Sequence, residues 1–397
     1  MKNYNYSRLH LYFNRIVRLI VSFFPRDRKL IVYGGAVDCF IDNAKHLFIY
    51  NYRNPRLQGY QQVWLTRNDA TFHRVANLGY KVIKSNSIKG IWYNLRCGYL
   101  IYDYRPEEFA SYVLAEGSTK INLWHGIAVK SWGAALSAYD PFYEPNKYSF
   151  IERFWKEHEN GDYIVSTALF LDRLTSVNAS IPKDHLIRAT YPRVLVLQMN
   201  DEDREKFIFQ NESKEFVKEF NLLKSVMNRK VIYMPTFRDN DVYYIDKAIP
   251  DWTLLNDFCV ENGITFYLKV HRVTPLPEID SFSNIKCIDN TIDIYPLLNS
   301  FDLLVTDYSS IMYDFALTNR PILLYTYDLD EYQTRSRRMY PHYKELRDAV
   351  SHVDDFSSLL NGITMDIEQF KIFPTENSFD CPTNIESIND IILKSDR

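Results

Sequence analysis

Four segments of the sequence set reactive side chains directly behind short apolar runs. Leu123-Trp124-His125-Gly126 ends in an imidazole beside a glycine, with Lys130 close behind. A histidine at the carboxyl end of a strand faces a cleft, and His is the natural general base near neutral pH. The same residue would also cap a following helix. Tyr233-Met234-Pro235-Thr236-Phe237-Arg238-Asp239 brings a guanidinium suited to bidentate phosphate contact, with a carboxylate to orient it. A surface Arg–Asp pair has the same spelling. In Leu268-Lys269-Val270-His271-Arg272, Lys269 and His271 share one face of a strand and Arg272 points the other way. In Leu303-Leu304-Val305-Thr306-Asp307-Tyr308-Ser309-Ser310, hydroxyls follow the strand and precede a helix. Ser309 suits its N-cap, and the free N–H groups at its start suit a phosphate.

Several chemistries are excluded or weakened. GxGxxG, GxxxxGK[ST], GxSxG and HExxH are all absent, and only 12 glycines occur, which disfavours a glycine-rich phosphate cradle. Asp239-Asn240-Asp241 and Asp328-Leu329-Asp330 match an acidic metal signature, but no complete set of oxygen ligands accompanies them. No metal is assigned. Five cysteines without a CxxC or a Cys/His cluster argue against a disulfide framework or structural zinc, and a reducing cytosol fits. Lys and Arg number 47 against 50 Asp and Glu, so the global basic excess of a nucleic-acid binder is missing.

The elements that must carry these segments alternate. Strand patterns at 30–33, 62–66, 81–84, 99–102, 121–124 and 163–166 are separated by helical patterns at 42–50, 69–78 and 87–96. The charged stretch 201–230 reads as an exposed helix at a domain junction. A second alternation follows, with strands at 231–234, 265–270, 285–288, 303–306 and 322–325, and helices at 252–261, 294–300, 310–318 and 354–360. Such alternation predicts parallel βαβ units. At 397 residues the chain exceeds the roughly 250–300 residues of a single core. The expected architecture is therefore α/β, two Rossmann-like domains facing a central cleft, with ligands beyond the carboxyl ends of the strands. The expected divisions are 1–28, 29–200 and 201–397.

The N-terminal segment is amphipathic. Leu9, Tyr12, Phe13, Ile16, Val17, Ile20 and Phe24 can share a helical face, flanked or opposed by Arg8, Arg15, Arg18, Arg26, Arg28 and Lys29. Such a helix lies in an anionic membrane surface or packs on the first domain. The 15% aromatic content suits either a bulky core or a membrane interface.

At the four segments the sequence resembles the CDP-glycerol:poly(glycerophosphate) glycerophosphotransferases, the teichoic acid and capsule polymerase family. That family carries W-H-G-T-P-x-K, P-T-[WF]-R-D, a strand ending in H-P, and T-D-Y-S-S followed by D-F and R-P. The matches are Trp124-His125-Gly126 with Lys130, Pro235 to Asp239, His271, and Thr306 to Ser310 with Asp314-Phe315 and Arg320-Pro321. Tyr327 to Tyr332 resembles its Y-D-L-E-E-Y, Asp42-Asn43-Ala44-Lys45 its D-N-S-K, and Tyr191-Pro192-Arg193 its central P-R-N-D. Departures are Ile127-Ala128 for T-P, Arg272 for the proline after His271, and Val194-Leu195 for N-D.

The resemblance implies a GT-B-like fold with the nucleotide on the C-terminal domain, and peripheral attachment to the cytoplasmic face of the membrane. It implies a donor, CDP-glycerol or CDP-ribitol, and an acceptor hydroxyl on a lipid-linked glycan or polyol-phosphate chain. His125 would be the base, and His271 would bind phosphate or protonate the leaving group. Arg238, Asp239, Lys269, Thr306, Asp307, Ser309 and Ser310 would form the donor side; Trp124, Gly126 and Lys130 would form the acceptor side. No obligatory cofactor is expected. A GT-B glycosyltransferase using a sugar nucleotide and a non-catalytic assembly scaffold are the alternatives.

Overall fold

The computed structural model describes residues 16–104, 109–132, 161–238, 241, 243–271, 274–275, 277–374 and 384–394. Two parallel sheets form its frame. The first holds β1 (Asp27–Gly34), β2 (Gln61–Thr66), β3 (Val82–Lys84), β4 (Cys97–Tyr102), β5 (Thr119–Asn122), β6 (Tyr163–Ser166) and β7 (Leu186–Arg188). Their order is β3-β2-β1-β4-β5-β6-β7. The second holds β8 (Arg229–Met234), β9 (Ile264–Leu268), β10 (Ile285–Cys287), β11 (Leu303–Thr306), β12 (Ile322–Tyr325) and β13 (His352–Val353), in the order β10-β9-β8-β11-β12-β13.

Continuous apolar runs build these strands because helices cover both faces of a parallel sheet. Every residue of β4, β11 and β12 is buried. Pairing of Val32 with Leu100 and of Val305 with Tyr233 sets the central registers. The sequence pattern missed β7 and β13, which end the two sheets and are two or three residues long. Strands that short take their conformation from a neighbour. The charged stretch is two helices, because Asn200 and Ser213 each cap a new start by accepting from Asp203 and Phe216 N–H groups.

The helices around these sheets include α1 (Asp42–Tyr52), α2 (Ile88–Arg96), α3 (Asp201–Asn211), α4 (Lys214–Ser225), α5 (Ile311–Ala316) and α6 (Glu386–Lys394). Helix α1 is sunk between the first sheet and the segments that follow it. Its Lys45, fully buried, pairs with Glu212 and with Asp293 at 2.8 Å, and His46 Nε2 lies 3.1 Å from Asp293. Burial opposes the Asp293 charge, but Lys45 and His46 outweigh it and hold the carboxyl below the usual range.

Two expected divisions are corrected. Tyr80 of the first domain donates to Asn211 of α3 at 2.6 Å, so the chain beyond 200 still packs on that domain. Helix α6 returns to it too. Tyr99 donates to the Ile392 carbonyl at 2.7 Å, and Asn51 to Asn389 at 2.8 Å. The first division, at 28, falls inside β1.

Of the N-terminal helix, residues 16–22 are helical and Leu9, Tyr12 and Phe13 lie outside the described residues. The face differs from the expected one. Ile16, Leu19, Ile20 and Phe23 are exposed, Val21 is buried, and Arg18 turns inward to Glu116 at 2.8 Å.

Candidate active site

Each reactive segment leaves the carboxyl end of a strand. β5 leads to Trp124 and His125 on the first domain. On the second, β8, β9 and β11 are adjacent, so the turns carrying Arg238, His271 and Ser309 emerge side by side. Ligands bind at this end of such sheets.

The first domain's turn is strained and braced. Trp124 has φ +61°, a left-handed conformation that costs a non-glycine residue about 1–3 kcal/mol. Its N–H donates to Asn122 Oδ1 and its carbonyl accepts from Asn43, both at 2.8 Å. Trp132 packs on its ring at 4.0 Å. The turn thereby aims His125 outward, between the Trp124 and Tyr104 rings at 4.3 and 4.8 Å. His125 is exposed to solvent yet deep among protein atoms, as in an open cleft. Desolvation, opposed by Asp42 and joined by Arg193, Lys130 and Arg337, lowers its pKa from 6.5 to about 4. Water reaching the ring moderates that fall. The ring is neutral at pH 7, the form a base requires.

The two domains touch at this turn. Gly126 has φ +138°, and a Cβ there would lie 2.3 Å from Ser310 Oγ and 3.2 Å from Arg193 Nη2. Only glycine permits so close an approach. Farther along, Lys130 bridges Met339, Ser131 N–H donates to the Arg338 carbonyl at 3.0 Å, and His342 Nε2 lies 2.9 Å from the Ala128 carbonyl. Lys130 Nζ sits 5.8 Å from the Tyr332 ring.

On the second domain the expected roles divide. Arg238 is buried rather than presented to the cleft. It donates to Asp328 through Nε at 2.7 Å and Nη2 at 2.8 Å, pairs with Asp307 at 2.9 Å, and reaches the Thr236 carbonyl at 2.5 Å. The Tyr308 and Tyr332 rings, stacked on each other at 4.4 Å, each lie 4.9 Å from it. Burial works against its charge, but Asp307 and Asp328 outweigh it and push its pKa up. Its donors are committed to the fold, which corrects the expectation of a direct phosphate contact. Asp307 also accepts from Thr236 N–H at 2.8 Å, tying the β8 and β11 turns together.

Thr306 is buried and donates to the Met234 carbonyl at 2.7 Å, which makes it part of the same brace. The helix starts one residue later than expected, with Ser310 at its N-cap position, yet it is Ser309 Oγ that accepts a first-turn N–H, from Ile311 at 3.5 Å. Ser310 makes no side-chain cap bond and turns its hydroxyl towards Gly126. The helix it begins, α5, has only six residues. Lys269 Nζ donates to the Asp289 carbonyl at 2.8 Å. His271 is exposed, its ring 5.2 Å from Phe237. Asp239 and Arg272 lie outside the described residues.

The model of the CDP-Glycerol:Poly(glycerophosphate) glycerophosphotransferase family matches residues 16–369. The chain belongs to that family. Its sequence is 28% identical over 343 residues to the teichoic acid poly(glycerol phosphate) polymerase of Bacillus spizizenii, covering 82% of this chain and 80% of that protein. It is 29% identical over 239 residues to the teichoic acid glycerol-phosphate transferase of Staphylococcus aureus, covering 57% of each. The solved structure of the wall teichoic acid polymerase TagF superposes with a TM-score of 0.74 at 18% identity, covering 98% of both chains. That likeness confirms the GT-B-like arrangement of two α/β domains.

In this glycerophosphotransferase, sequence reasoning singled out Asp42-Asn43 and Arg193 only as points of resemblance. They brace the His125 turn from behind. Arg337, close enough to influence His125, was missed entirely. It carries no motif, and only the cross-domain pairing of 338–342 with 128–131 brings it near. A hollow of about 590 Å³ lined by Asn51, Arg53, Tyr60 and Lys81 opens at the amino ends of the strands, away from all of these residues.

Proposed function

We propose that this protein transfers a polyol phosphate from a CDP-polyol, with CDP-glycerol as donor, to a hydroxyl of a teichoic acid-type polymer or its lipid-linked precursor. One observation carries the reading. A neutral, solvent-reached histidine on one domain lies beside a hydroxyl-bearing turn of the other, with Gly126 against Ser310. That arrangement suits a base facing a phosphate. His125 takes the proton of the acceptor hydroxyl, whose oxygen attacks the β-phosphorus. The bond from that phosphorus to the bridging oxygen breaks, and CMP leaves. His271 binds the phosphates or protonates the leaving oxygen. Lys130, Arg337 and Ser310 offset charge around them, while Arg238 and Asp307 hold the turns from inside. Glycerol is favoured over ribitol because both relatives named above act on glycerol phosphate. The exposed Ile16, Leu19, Ile20 and Phe23 support seating on an anionic membrane surface at the cytoplasmic face.

The test is mass spectrometry of products from the purified protein with CDP-glycerol, CDP-ribitol, UDP-sugars and GDP-sugars, each with lipid-linked and soluble acceptors. Acceptors heavier by one glycerol phosphate, with equimolar CMP, are expected. Transfer from a sugar nucleotide instead would make it a glycosyltransferase. No nucleotide release from any donor would leave only a scaffold.

A further inference from the structure

Arg193 sits behind the cleft floor, in the turn Pro192–Gln198, and is 3% exposed. Its guanidinium joins the two domains. Nη1 donates to Asp42 of α1 at 2.7 Å, and Nη2 donates to Asp314 of α5 at 2.6 Å. Tyr295 donates to the same Asp314 oxygen at 2.7 Å, and its ring lies 4.6 Å from the guanidinium. The Arg193 backbone N–H donates to Asn43 Oδ1 at 3.1 Å, and Asn43 in turn holds the Trp124 carbonyl. One residue therefore braces the strained turn that aims His125 and anchors the helix that begins at Ser310. Two left-handed residues, Asp42 at φ +65° and Trp124 at φ +61°, belong to the network.

We infer that Arg193 is a positioning residue for the transfer: by pairing with Asp42 on one domain and Asp314 on the other, it holds His125 and the Ser309–Ser310 turn at a fixed separation across the cleft. The inference rests on the reading of His125 as the base. Its physical basis is that reacting groups must be held in a near-attack geometry, and a displacement of about 1 Å costs roughly 100-fold in rate. A planar, always-charged guanidinium suits such a two-carboxylate bridge better than an ammonium does. The charged groups facing His125 are Asp42, which favours the protonated ring, and Arg193, Lys130 and Arg337, which disfavour it. Loss of the Arg193 charge removes one cation and frees Asp42. Both changes favour the protonated ring.

The experiment compares the full-length wild type with Arg193→Gln and with the double variant Arg193→Met/Asp314→Leu. The double variant removes Arg193 together with its fully buried partner Asp314, a change that buried pairs commonly tolerate, and leaves without a cation only Asp42, which water partly reaches. In both variants kcat should fall roughly 10- to 100-fold, while calorimetric affinity for CDP-glycerol falls by less than kcat does, because the loosened Ser309–Ser310 turn keeps its own donor-side groups. In Arg193→Gln the acid limb of kcat/KM should move to higher pH. Backbone hydrogen exchange should quicken at 122–132 and 308–316 and stay unchanged in the central strands. A folded double variant with wild-type kcat would overturn the inference, as would a loss of donor affinity as large as the loss of turnover. If the wild type turns over no CDP-polyol, the functional reading falls, and the exchange pattern alone decides whether Arg193 couples the two turns.

Discussion

His125 and His271 both follow strands, yet their surroundings separate their roles. His125 stands on the first domain among groups that keep it neutral, whereas His271 belongs to the domain expected to carry the nucleotide. His125→Ala should lower kcat by ~10²–10⁴, the usual worth of a general base, with CDP-glycerol affinity preserved. His271→Ala should weaken both affinity and turnover. Single-turnover rates paired with calorimetry separate the two patterns, and near wild-type turnover by His125→Ala would move the base elsewhere. The pH dependence has a definite sign. Desolvation of His125 disfavours its charged form, so the base survives below its ordinary pKa of 6.5. The acid limb of kcat/KM should fall between that value and about 4. A limb above 6.5 would contradict the assignment.

The turns behind β8 and β11 behave as one element. Arg238 sits inside it, with Asp307, Asp328 and the rings of Tyr308 and Tyr332 around it. Removing one partner of a buried ion pair strands the other charge, which typically costs about 3–5 kcal/mol. Arg238→Ala should therefore lower unfolding stability by about that amount, measured by urea denaturation. A wild-type midpoint combined with weakened CDP-glycerol binding would mean instead that the guanidinium reaches the donor. The other side of the cleft uses a different device. There a left-handed tryptophan and a glycine with φ +138° bring backbone against the opposing domain, and side-chain amides hold the bend.

For the whole molecule, the two domains are not independent beads. α1, α3 and α6 interlock through Lys45, Asn211 and Asn389, and the last helix closes onto the first sheet. The N-terminal helix adds an outward apolar face, and nearby Ile88 and Trp92 of α2 are exposed as well. The Phe24 ring, just past the N-terminal helix, lies 6.1 Å from the Trp92 ring. Leu19→Glu with Phe23→Glu should reduce co-sedimentation with anionic vesicles and leave turnover of a soluble acceptor unchanged. Undiminished vesicle binding would remove the membrane role from this face. Both side chains are solvent-exposed, so the change spares the core.

Much of this was legible in the chain itself. Strand–helix alternation announces two parallel sheets, because apolar runs of four to six residues can only be buried between helices. Local order also places His125, His271 and Ser310 at strand ends, since a strand's carboxyl end and the start of the next helix are sequence-local features. The fate of the charges was not legible. Arg238 reads as a phosphate ligand until Asp328, 90 positions away, claims it. Arg193 reads as a fragment of a motif until Asp314, 121 positions away, gives it a partner in the other domain. Periodicity reports which side chains leave water, and it is silent on which buried charge meets which. Such pairings depend on long-range approach, so the tertiary structure alone decided which cations brace the cleft and which face it.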